Sequence, residues 1–300
     1  MKKELKQYVG EIMKGEVIQD TNNKWLVHFS RQNLEGLLPK EHVPYIRDVG
    51  PDVDVLVNGI QRTPTGYTLS LDRNIEFLLK LTQELPGVVD GEVAVLKAVR
   101  IPGDKSKIKV SGDPGTFIGK WGCFTNQLTE RLRDKSMDVI GVTGNEKTED
   151  LIMSALNIAV PMRVDVDEYH RHAIIYVPYS MIGMTLGRGR GNLRLAMDLL
   201  EYGITVQPLQ NDFIYNQGFP NSVIRDLCNA RLFTEDDLAA LITDGKGKEY
   251  ISRETYDYLK EIIEIQEEED EYECPECHHS FLGVKSECPY CGVKLEFEEE

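Results

Sequence analysis

Two stretches of sequence decide the fold: GTFIGKWGCFTN at residues 115–126 and GMTLGRGRGNLR at residues 183–194. Each stretch holds a glycine-rich turn between two apolar runs, and the turns begin at Gly119 and Gly187, 68 residues apart. Glycine permits backbone conformations that other residues rarely adopt. Because both turns lie in matching surroundings, the sequence predicts an internal repeat of one structural unit.

The segments around both turns share one predicted order: two strands, a helix, the turn, a second helix and a third strand. This order fits the KH fold, whose G-x-x-G turn clamps about four nucleotides of single-stranded RNA. We therefore predict two tandem prokaryotic-type KH domains, of α+β class, at residues 88–145 and 146–208. The predicted elements are strands at 92–99, 107–110 and 137–142 with helices near 117–118 and at 124–133, then a helix at 149–159, strands at 162–166, 173–177 and 204–206, and helices at 179–186 and 192–200.

The glycine turns are the predicted RNA-binding sites. Glycine lets the turn approach an RNA backbone closely, and the N–H groups that open the second helix face the phosphates. In the first turn, Lys120 adds a cation and Trp121 a surface on which a base can stack. In the second turn, Arg190 takes the position of the final glycine, so we expect an altered clamp and binding driven by charge. The predicted RNA-binding residues are Gly119, Lys120, Trp121, Gly122, Gly187, Arg188, Gly189, Arg190 and Arg194.

The glycine turns and a nearby run of alternating lysines each have a simpler interpretation than RNA binding. A G-x-x-G pattern by itself usually marks an ordinary turn, and only its duplication favours RNA binding. Lys105, Lys107 and Lys109 either continue a basic surface or belong to a solvated edge strand. The sequence leaves these alternatives open.

Residues 1–78 are predicted to form a five-stranded β-barrel of the OB type, with RNA as its ligand. Trp25 and Phe29 either stack with bases on the barrel surface or fill its interior. A short amphipathic helix at about 74–85 precedes Pro86-Gly87, and residues 79–87 are assigned as a linker. Clusters of turn-forming residues separate the predicted strands at 10–18, 25–29, 34–38, 53–60 and 67–71.

The last third of the chain carries all of the excess negative charge. Residues 201–300 hold 24 acidic and 8 basic side chains, a net charge of −16, whereas residues 1–200 hold 26 of each. A neutral body can still present a basic surface to RNA, while an acidic segment favours a protein partner or competes with RNA for that surface. We predict a short helical acidic region at 209–266, with helices capped by Thr234 and Ser252, and an acidic linker at 267–273.

Four of the six cysteines form two C-x-x-C pairs close to residue 300. Two such knuckles bring four thiolates to one tetrahedral ion and leave no open position for catalysis. We predict one structural zinc ion in a C-terminal zinc ribbon at 274–300, which would not fold without its metal. His278 and His279 are not needed as ligands, and Cys123 and Cys228 are predicted to be buried thiols. The predicted ligands are Cys274, Cys277, Cys288 and Cys291.

Common catalytic and targeting motifs are absent from the sequence. Three rather than four residues separate Gly115 from Gly119, and Trp121 stands where a P-loop needs Ser or Thr. The turn at Gly187 lacks the G-x-G-x-x-G spacing of dinucleotide-binding proteins, and no H-E-x-x-H or G-x-S-x-G motif occurs. We therefore expect a protein that is not an enzyme. The sequence also shows neither a signal segment nor about eighteen consecutive apolar residues, which favours a cytoplasmic location without membrane contact.

Two segments resemble the NusA family of transcription elongation and termination factors. Residues 88–110 are similar to the start of that family's first KH domain, and residues 187–196 to the helix after its second clamp. The barrel stands where the family carries its OB-type domain, so the resemblance covers about two-thirds of the chain. The resemblance implies a factor that contacts nascent single-stranded RNA and modulates transcription elongation, pausing, termination or antitermination.

The chain departs from the NusA pattern near both ends. The barrel starts close to Met1, where bacterial members carry a polymerase-binding domain, and the zinc ribbon is foreign to the usual pattern. We expect the acidic last third to contact RNA polymerase or another transcription protein instead. The alternative is an RNA-binding scaffold in RNA decay, similar to an exosome cap, or in ribosome assembly. A third alternative, an RNA-processing enzyme, predicts RNA turnover by the pure protein.

Overall fold

A computed structural model describes residues 2–43, 52–209, 213–245, 248–267, 271–282 and 287–294. Contacts divide the chain into two compact units, Met1–Leu209 and Gln210–Glu300. The first unit holds a barrel and two similar α+β folds, and the second holds the acidic helices and the cysteine cluster. Within the described ranges, no helix is long and apolar enough to cross a membrane.

Five strands of the first unit close into a barrel: β1 Ile12–Asp20, β2 Lys24–Phe29, β3 Leu34–Pro39, β4 Asp52–Thr63 and β5 Gly66–Asp72. Around the barrel they follow the order β1-β2-β3-β5-β4, and all neighbours are antiparallel except β3 and β5. A Cβ atom on Gly15 would lie 2.5 Å from Val27, and one on Gly36 would lie 2.7 Å from Leu71. The packed interior therefore requires glycine at both positions.

Short helices flank the barrel: α1 Lys2–Leu5 before it, and α2 Ile75–Thr82 and α3 Pro86–Val89 after it. Phe77 and Leu81 of α2 are buried in one apolar cluster with Ile108, Phe117 and Leu128 of the following fold. Helix α2 therefore contributes to the core of that fold. The domain limits at residues 78 and 88 stay predictions.

Two buried arginines fix the junction between the barrel and the next fold. Arg100 pairs with both carboxylate oxygens of Asp134, at 2.7 and 2.8 Å, and donates to the backbone carbonyl of Arg73. Arg73 in turn donates to the carbonyl oxygens of Asp54 in β4 and of Arg131. Because buried guanidinium groups need such partners, removing any of them would leave an unpaired charge in the interior.

Two α+β folds with the same topology follow. In each three-stranded sheet, the middle strand is antiparallel to the preceding strand and parallel to the one after the helices. The predicted internal repeat is confirmed, and the predicted helix at 179–186 has the bounds expected. The first fold comprises β6 Ala94–Ile101, β7 Lys105–Ser111, α4 Pro114–Ile118, α5 Cys123–Leu132 and β8 Ser136–Val142. The second comprises α6 Thr148–Leu156, β9 Arg163–Asp167, β10 His172–Val177, α7 Tyr179–Leu186, α8 Gly191–Leu200 and β11 Gly203–Pro208.

Helix α8 of the second fold packs on the sheet of the first. Leu195 and Leu199 share an apolar cluster with Val99 and Ile140 of that sheet. The strand register places Lys107 opposite both Val99 and Asp138, which puts the lysine on the same covered face. The two folds therefore share one packed interface.

The described residues of the second unit form four α-helices and a small hairpin. Thr234 caps the helix Glu235–Asp244 (α11) in a capping box with Asp237. The Ser252 hydroxyl accepts from the Thr255 N–H at the start of the helix Arg253–Glu267 (α12), so both predicted caps are confirmed. Residues 268–270 of the predicted acidic linker, and 283–286 and 295–300 of the predicted ribbon, lie outside the described residues. The elements are α9 Phe213–Asn216, α10 Asn221–Ala230, α11 Glu235–Asp244 and α12 Arg253–Glu267, followed by the antiparallel strands β12 Glu271–Glu273 and β13 Ser280–Leu282. Short 3-10 helices lie at Lys6–Tyr8, Lys40–His42, Lys120–Gly122, Arg188–Arg190 and Lys248–Tyr250.

Candidate nucleic-acid interface

The first glycine turn is held by the helices on both sides of it. Asp113 caps α4 by accepting hydrogen bonds from the N–H groups of Gly115 and Thr116, at 3.0 and 3.2 Å. The helix ends at Gly119, whose φ and ψ are 76° and 165°. A Cβ atom on Gly119 would lie 2.5 Å from Cδ2 of Phe124. Both the backbone angles and the packing therefore favour glycine here.

The rest of the first turn presents a cation, an aromatic ring and free backbone donors. Lys120 is exposed, and the Trp121 side chain is 89% exposed. Trp121 and Gly122 both have left-handed backbone, with φ of 59° and 73°. Helix α5 then begins without a side-chain cap. The N–H groups of Gly122 and Cys123 donate to the carbonyl oxygens of Gly119 and Lys120, so the N–H groups that follow them in the first turn of α5 are the ones left for an anion such as phosphate.

The second turn repeats this backbone residue by residue. Gly187 has φ and ψ of 71° and 172°, close to those of the first glycine of the other turn. Gly189, at 56° and 29°, and Arg190, at 59° and 22°, likewise match Trp121 and Gly122. The change from glycine to Arg190 therefore leaves the backbone of the turn as it is, and binding driven by charge at this turn stays a prediction.

Ordinary van der Waals distances, without a clash, explain why a side chain fits at the final glycine position. In the first turn, the nearest atom to a Cβ built on Gly122 is Nδ2 of Asn126, at 3.6 Å. Only the left-handed backbone then opposes a side chain, at a cost of about 1–2 kcal/mol. Helix α8 also begins without a side-chain cap, so the second turn offers the same backbone donors as the first.

Asn192 anchors the second turn, and sequence reasoning missed this role. It is buried in the first turn of α8, and its Nδ2 donates to the carbonyl oxygens of Leu156 and Thr185, both at 2.9 Å. These bonds tie the start of α8 to α6 and α7. The acceptors lie 36 and 7 residues away along the chain, so no local pattern could have marked Asn192.

Four basic side chains belong to the turns and to α8. All four are exposed, and none makes a hydrogen bond or ion pair with a residue that the structure describes. Unpaired exposed cations are the groups that neutralise RNA phosphates. They are Lys120, Arg188, Arg190 and Arg194.

Two of the three alternating lysines of β7, Lys105 and Lys107, do not extend this basic surface. Lys107 is fully buried and forms an ion pair with Asp138, and Lys105 bonds the same carboxylate at 2.9 Å. Burial lowers the pKa of Lys107, while the hydrogen bond and charge of Asp138 oppose that shift. The interpretation of Lys105 and Lys107 as phosphate contacts is therefore wrong.

The barrel aromatics contribute to the interior rather than to an open stacking surface. Phe29 is fully buried in the barrel core. Trp25 is half-buried against that core, its indole N–H points to the carbonyl oxygen of Val43 at 3.4 Å, and the Lys40 ammonium lies 4.8 Å from its ring centre. Of the two alternatives, the structure favours packing.

The four cysteines near the end of the chain come together as predicted. All four sulfur atoms lie within 4.8 Å of one another, with Cys274 to Cys291 and Cys277 to Cys288 both at 3.7 Å. Metal–sulfur bonds of about 2.3 Å in a tetrahedron set sulfur–sulfur distances of about 3.8 Å. The cluster can therefore hold a metal ion.

Both knuckles have the same backbone. The first cysteine of each pair accepts a backbone hydrogen bond from the residue four positions later, His278 or Gly292, and both of these residues have positive φ. The Tyr290 N–H also donates to the sulfur of Cys288 at 3.4 Å, which stabilises a thiolate. Outside the cluster, Cys228 is buried as predicted, whereas Cys123 is exposed at the start of α5.

Comparison with known proteins supports this reading of the first unit. Residues 72–142 match the family model described as the NusA-like first KH domain. A transcription termination/antitermination protein NusA from Borreliella burgdorferi is 24% identical over 365 aligned residues, which cover 99% of this chain and 74% of that protein. The resemblance to NusA noted from residues 88–110 and 187–196 is confirmed.

Two further relatives carry the same name. NusA of Halalkalibacterium halodurans is 26% identical over 207 residues, covering 66% of this chain and 53% of that protein. NusA of Thermus thermophilus is 27% identical over 211 residues, covering 67% and 54%. The chain thus spans about three quarters of the first relative and about half of these two. Among solved structures, the crystal structure of APE1850 is 20% identical with a TM-score of 0.34, over 44% of this chain and 96% of that one.

Proposed function

We propose that this chain, a relative of the NusA transcription factors, binds single-stranded RNA through its two glycine turns and modulates transcription elongation, termination or antitermination. The observation that carries the proposal is the repeated clamp: two turns with one backbone, uncapped helix starts and unpaired cations. The relatives named above are transcription factors. Their names do not favour the RNA-decay or ribosome-assembly scaffold.

The clamps bind RNA mainly through its backbone. The N–H groups of Cys123 and Gly191 bond within their own turns, and those that follow them in the first turns of α5 and α8 donate to phosphate oxygens. Lys120, Arg188 and Arg190 supply positive charge. Trp121 offers a stacking surface in the first clamp, whereas the second clamp has Gly189 at that position. Binding by the second clamp therefore depends more on charge, and its affinity falls more steeply with salt.

Replacing Gly122 tests the first clamp without damaging the fold. Gly122→Asp places a carboxylate where phosphate would lie, and its matched control, Gly122→Asn, has the same shape and tolerates left-handed backbone without the charge. We expect Gly122→Asp to weaken RNA binding at least about tenfold relative to Gly122→Asn, as fluorescence anisotropy would measure. Equal affinities of the two variants would contradict the clamp.

Salt dependence tests the second clamp. Removing two phosphate contacts with Arg188→Gln and Arg190→Gln should reduce the slope of log affinity against log salt by about 1.4. Exchanging the same residues for lysine keeps the charge and should leave the slope unchanged. A slope that does not respond to the glutamine variants would show that these arginines do not contact RNA.

The acidic second unit is the proposed contact to RNA polymerase or another transcription protein. Its excess of carboxylates suits a basic protein surface better than RNA. The test is co-purification of the full chain with elongating polymerase. Failure to associate, with and without RNA, would refute the transcription role while leaving RNA binding intact.

Two further assignments belong to the proposal. The ion held by Cys274, Cys277, Cys288 and Cys291 is zinc in a structural role, because four thiolates leave no site for water. The barrel is of the OB type, and the protein acts by binding rather than catalysis. Metal analysis should find one zinc ion per chain, and a redox-active iron would overturn the assignment of zinc. Purified protein should not cleave RNA, and RNA cleavage would overturn the assignment of a binding role.

A further inference from the structure

A cleft lies between the two KH-type folds, and none of its lining residues belongs to either glycine turn. It has a volume of about 490 Å³ and is lined by residues of both folds. Leu200 places it at the carboxy-terminal end of α8, the helix whose amino-terminal end carries the second clamp. Its size lies within the range of small-molecule sites, about 300–1,000 Å³.

Two flat polar surfaces border the cleft. The Tyr169 ring, in the turn between β9 and β10, is 90% exposed. The Arg171 guanidinium lies 5.7 Å from the ring centre of Tyr202 and donates to the carbonyl oxygens of Leu200 and Glu201, at 3.2 and 3.0 Å. Aromatic rings and guanidinium planes are the surfaces on which proteins stack unpaired bases.

The cleft also has an apolar floor formed by residues of both folds. Leu96 of β6, Val142 of β8, Leu151 of α6 and Leu200 of α8 line it. Leu96 is 52% exposed, although large apolar side chains are usually buried. An apolar floor beside stacking surfaces suits the ring system of a base.

Besides the stacking surfaces, two charged side chains line the cleft, Lys109 and Glu168. Lys109 makes no hydrogen bond or ion pair with any described residue, and its charge only helps Lys97 to lower the pKa of Glu201. The Glu168 carboxylate is held by the hydroxyl groups of Thr148 and Tyr202, at 2.6 and 3.3 Å. A phosphate can therefore meet Lys109, and an amino group of a base can donate to Glu168.

We propose that this cleft binds one nucleotide, with its base stacked at Tyr169 and Arg171 and its phosphate at Lys109. The nucleotide has two sources with the same chemistry: a residue of RNA that also occupies the clamps, or a free mononucleotide. If the nucleotide belongs to a bound RNA, the inference rests on the proposed function. If it is a free mononucleotide, the inference does not depend on that function.

The experiment uses the full chain in two arms. In the first arm, adenosine, guanosine, cytidine and uridine 5′-monophosphates are titrated separately and followed by calorimetry. In the second arm, affinity is compared for RNA of about eight nucleotides, the span of two clamps, and of about sixteen. The variants are Tyr169→Ala and Lys109→Gln; Lys109→Arg keeps the charge, and Tyr250→Ala removes an exposed tyrosine of the second unit.

We expect Tyr169→Ala and Lys109→Gln each to lower the affinity for one of the two ligands, a mononucleotide or the longer RNA, about tenfold. For Tyr169→Ala this is the size of the loss when a stacked base loses its aromatic partner. Lys109→Arg and Tyr250→Ala should leave that affinity unchanged, and the shorter RNA should bind all variants equally. If both variants bind the mononucleotides and the longer RNA as tightly as the wild-type chain does, the proposed cleft site is wrong. Failure of the RNA-binding proposal would appear separately, as equal binding by Gly122→Asp and Gly122→Asn.

Discussion

Replacing Gly187 by alanine tests whether the clamp backbone depends on its first glycine. With φ and ψ of 71° and 172°, Gly187 occupies a region nearly exclusive to glycine, which costs other residues about 1–3 kcal/mol. The added Cβ would lie 2.6 Å from Cβ and 2.9 Å from the backbone N of Asn192. Relieving that overlap requires movement of α8 and costs about 1–3 kcal/mol more. We therefore expect the free energy of unfolding to fall by about 2–6 kcal/mol.

Gly189→Ala is the matched control within the same turn. No atom lies within 4 Å of a Cβ built on Gly189, and Trp121 already occupies the equivalent position of the first turn with nearly the same angles. The expected loss is only the left-handed penalty, about 1–2 kcal/mol. Urea unfolding followed by circular dichroism, with hydrogen exchange of the α8 amides as a local measure, compares the two variants. Equal losses would refute the argument from packing.

Three further predictions concern an ion pair, a carboxylate and the cysteine cluster. Lys107→Met should lower the free energy of unfolding by about 1–3 kcal/mol, because Lys105 still bonds Asp138. Adding Asp138→Leu should then cost less than it does in the wild-type chain; purely additive losses in this double-mutant cycle would contradict a buried pair. Hydrogen bonds from the Thr143 hydroxyl and N–H lower the pKa of Glu146 from 4.5 to about 2, so its contribution to stability is present above pH 4.5 and is lost toward pH 2. Thermal unfolding of Glu146→Gln across that range should lack this dependence, and an unchanged profile would refute the assignment. Chelation, or Cys288→Ser, should unfold the ribbon in NMR spectra while RNA affinity of the first unit stays the same.

Local sequence signals were sufficient for the elements and for the position of the clamps. The bounds of α7, the cap of α11 at Thr234 and the spacing of the glycine turns all follow from residues within a few positions of one another. The cysteine cluster followed from spacing as well, because a metal ion imposes short distances between its ligands. Such features depend on backbone angles and caps, which nearby residues set.

Local sequence signals could not predict which side chains are buried in the folded chain. Alternating lysines on β7 look like a solvated or RNA-facing edge, but α8 covers that face and leaves Lys107 paired with Asp138 in the interior. Cys123 was expected to be buried because thiols usually are, but it lies exposed where α5 begins. For Lys107, an element distant in sequence decides which face is covered.

The two glycine turns show most directly what the sequence determines and what only the tertiary structure decides. The sequence by itself determined that the chain repeats one α+β unit, places a glycine turn in each copy and carries two cysteine knuckles. Only the tertiary structure decided that Arg190 keeps the backbone of the clamp, that Asn192 ties it to α6 and α7, and that a cleft forms between the two folds. The physical reason is that backbone conformation depends on neighbouring residues, whereas free space and hydrogen-bond partners depend on segments that meet only when the chain is folded.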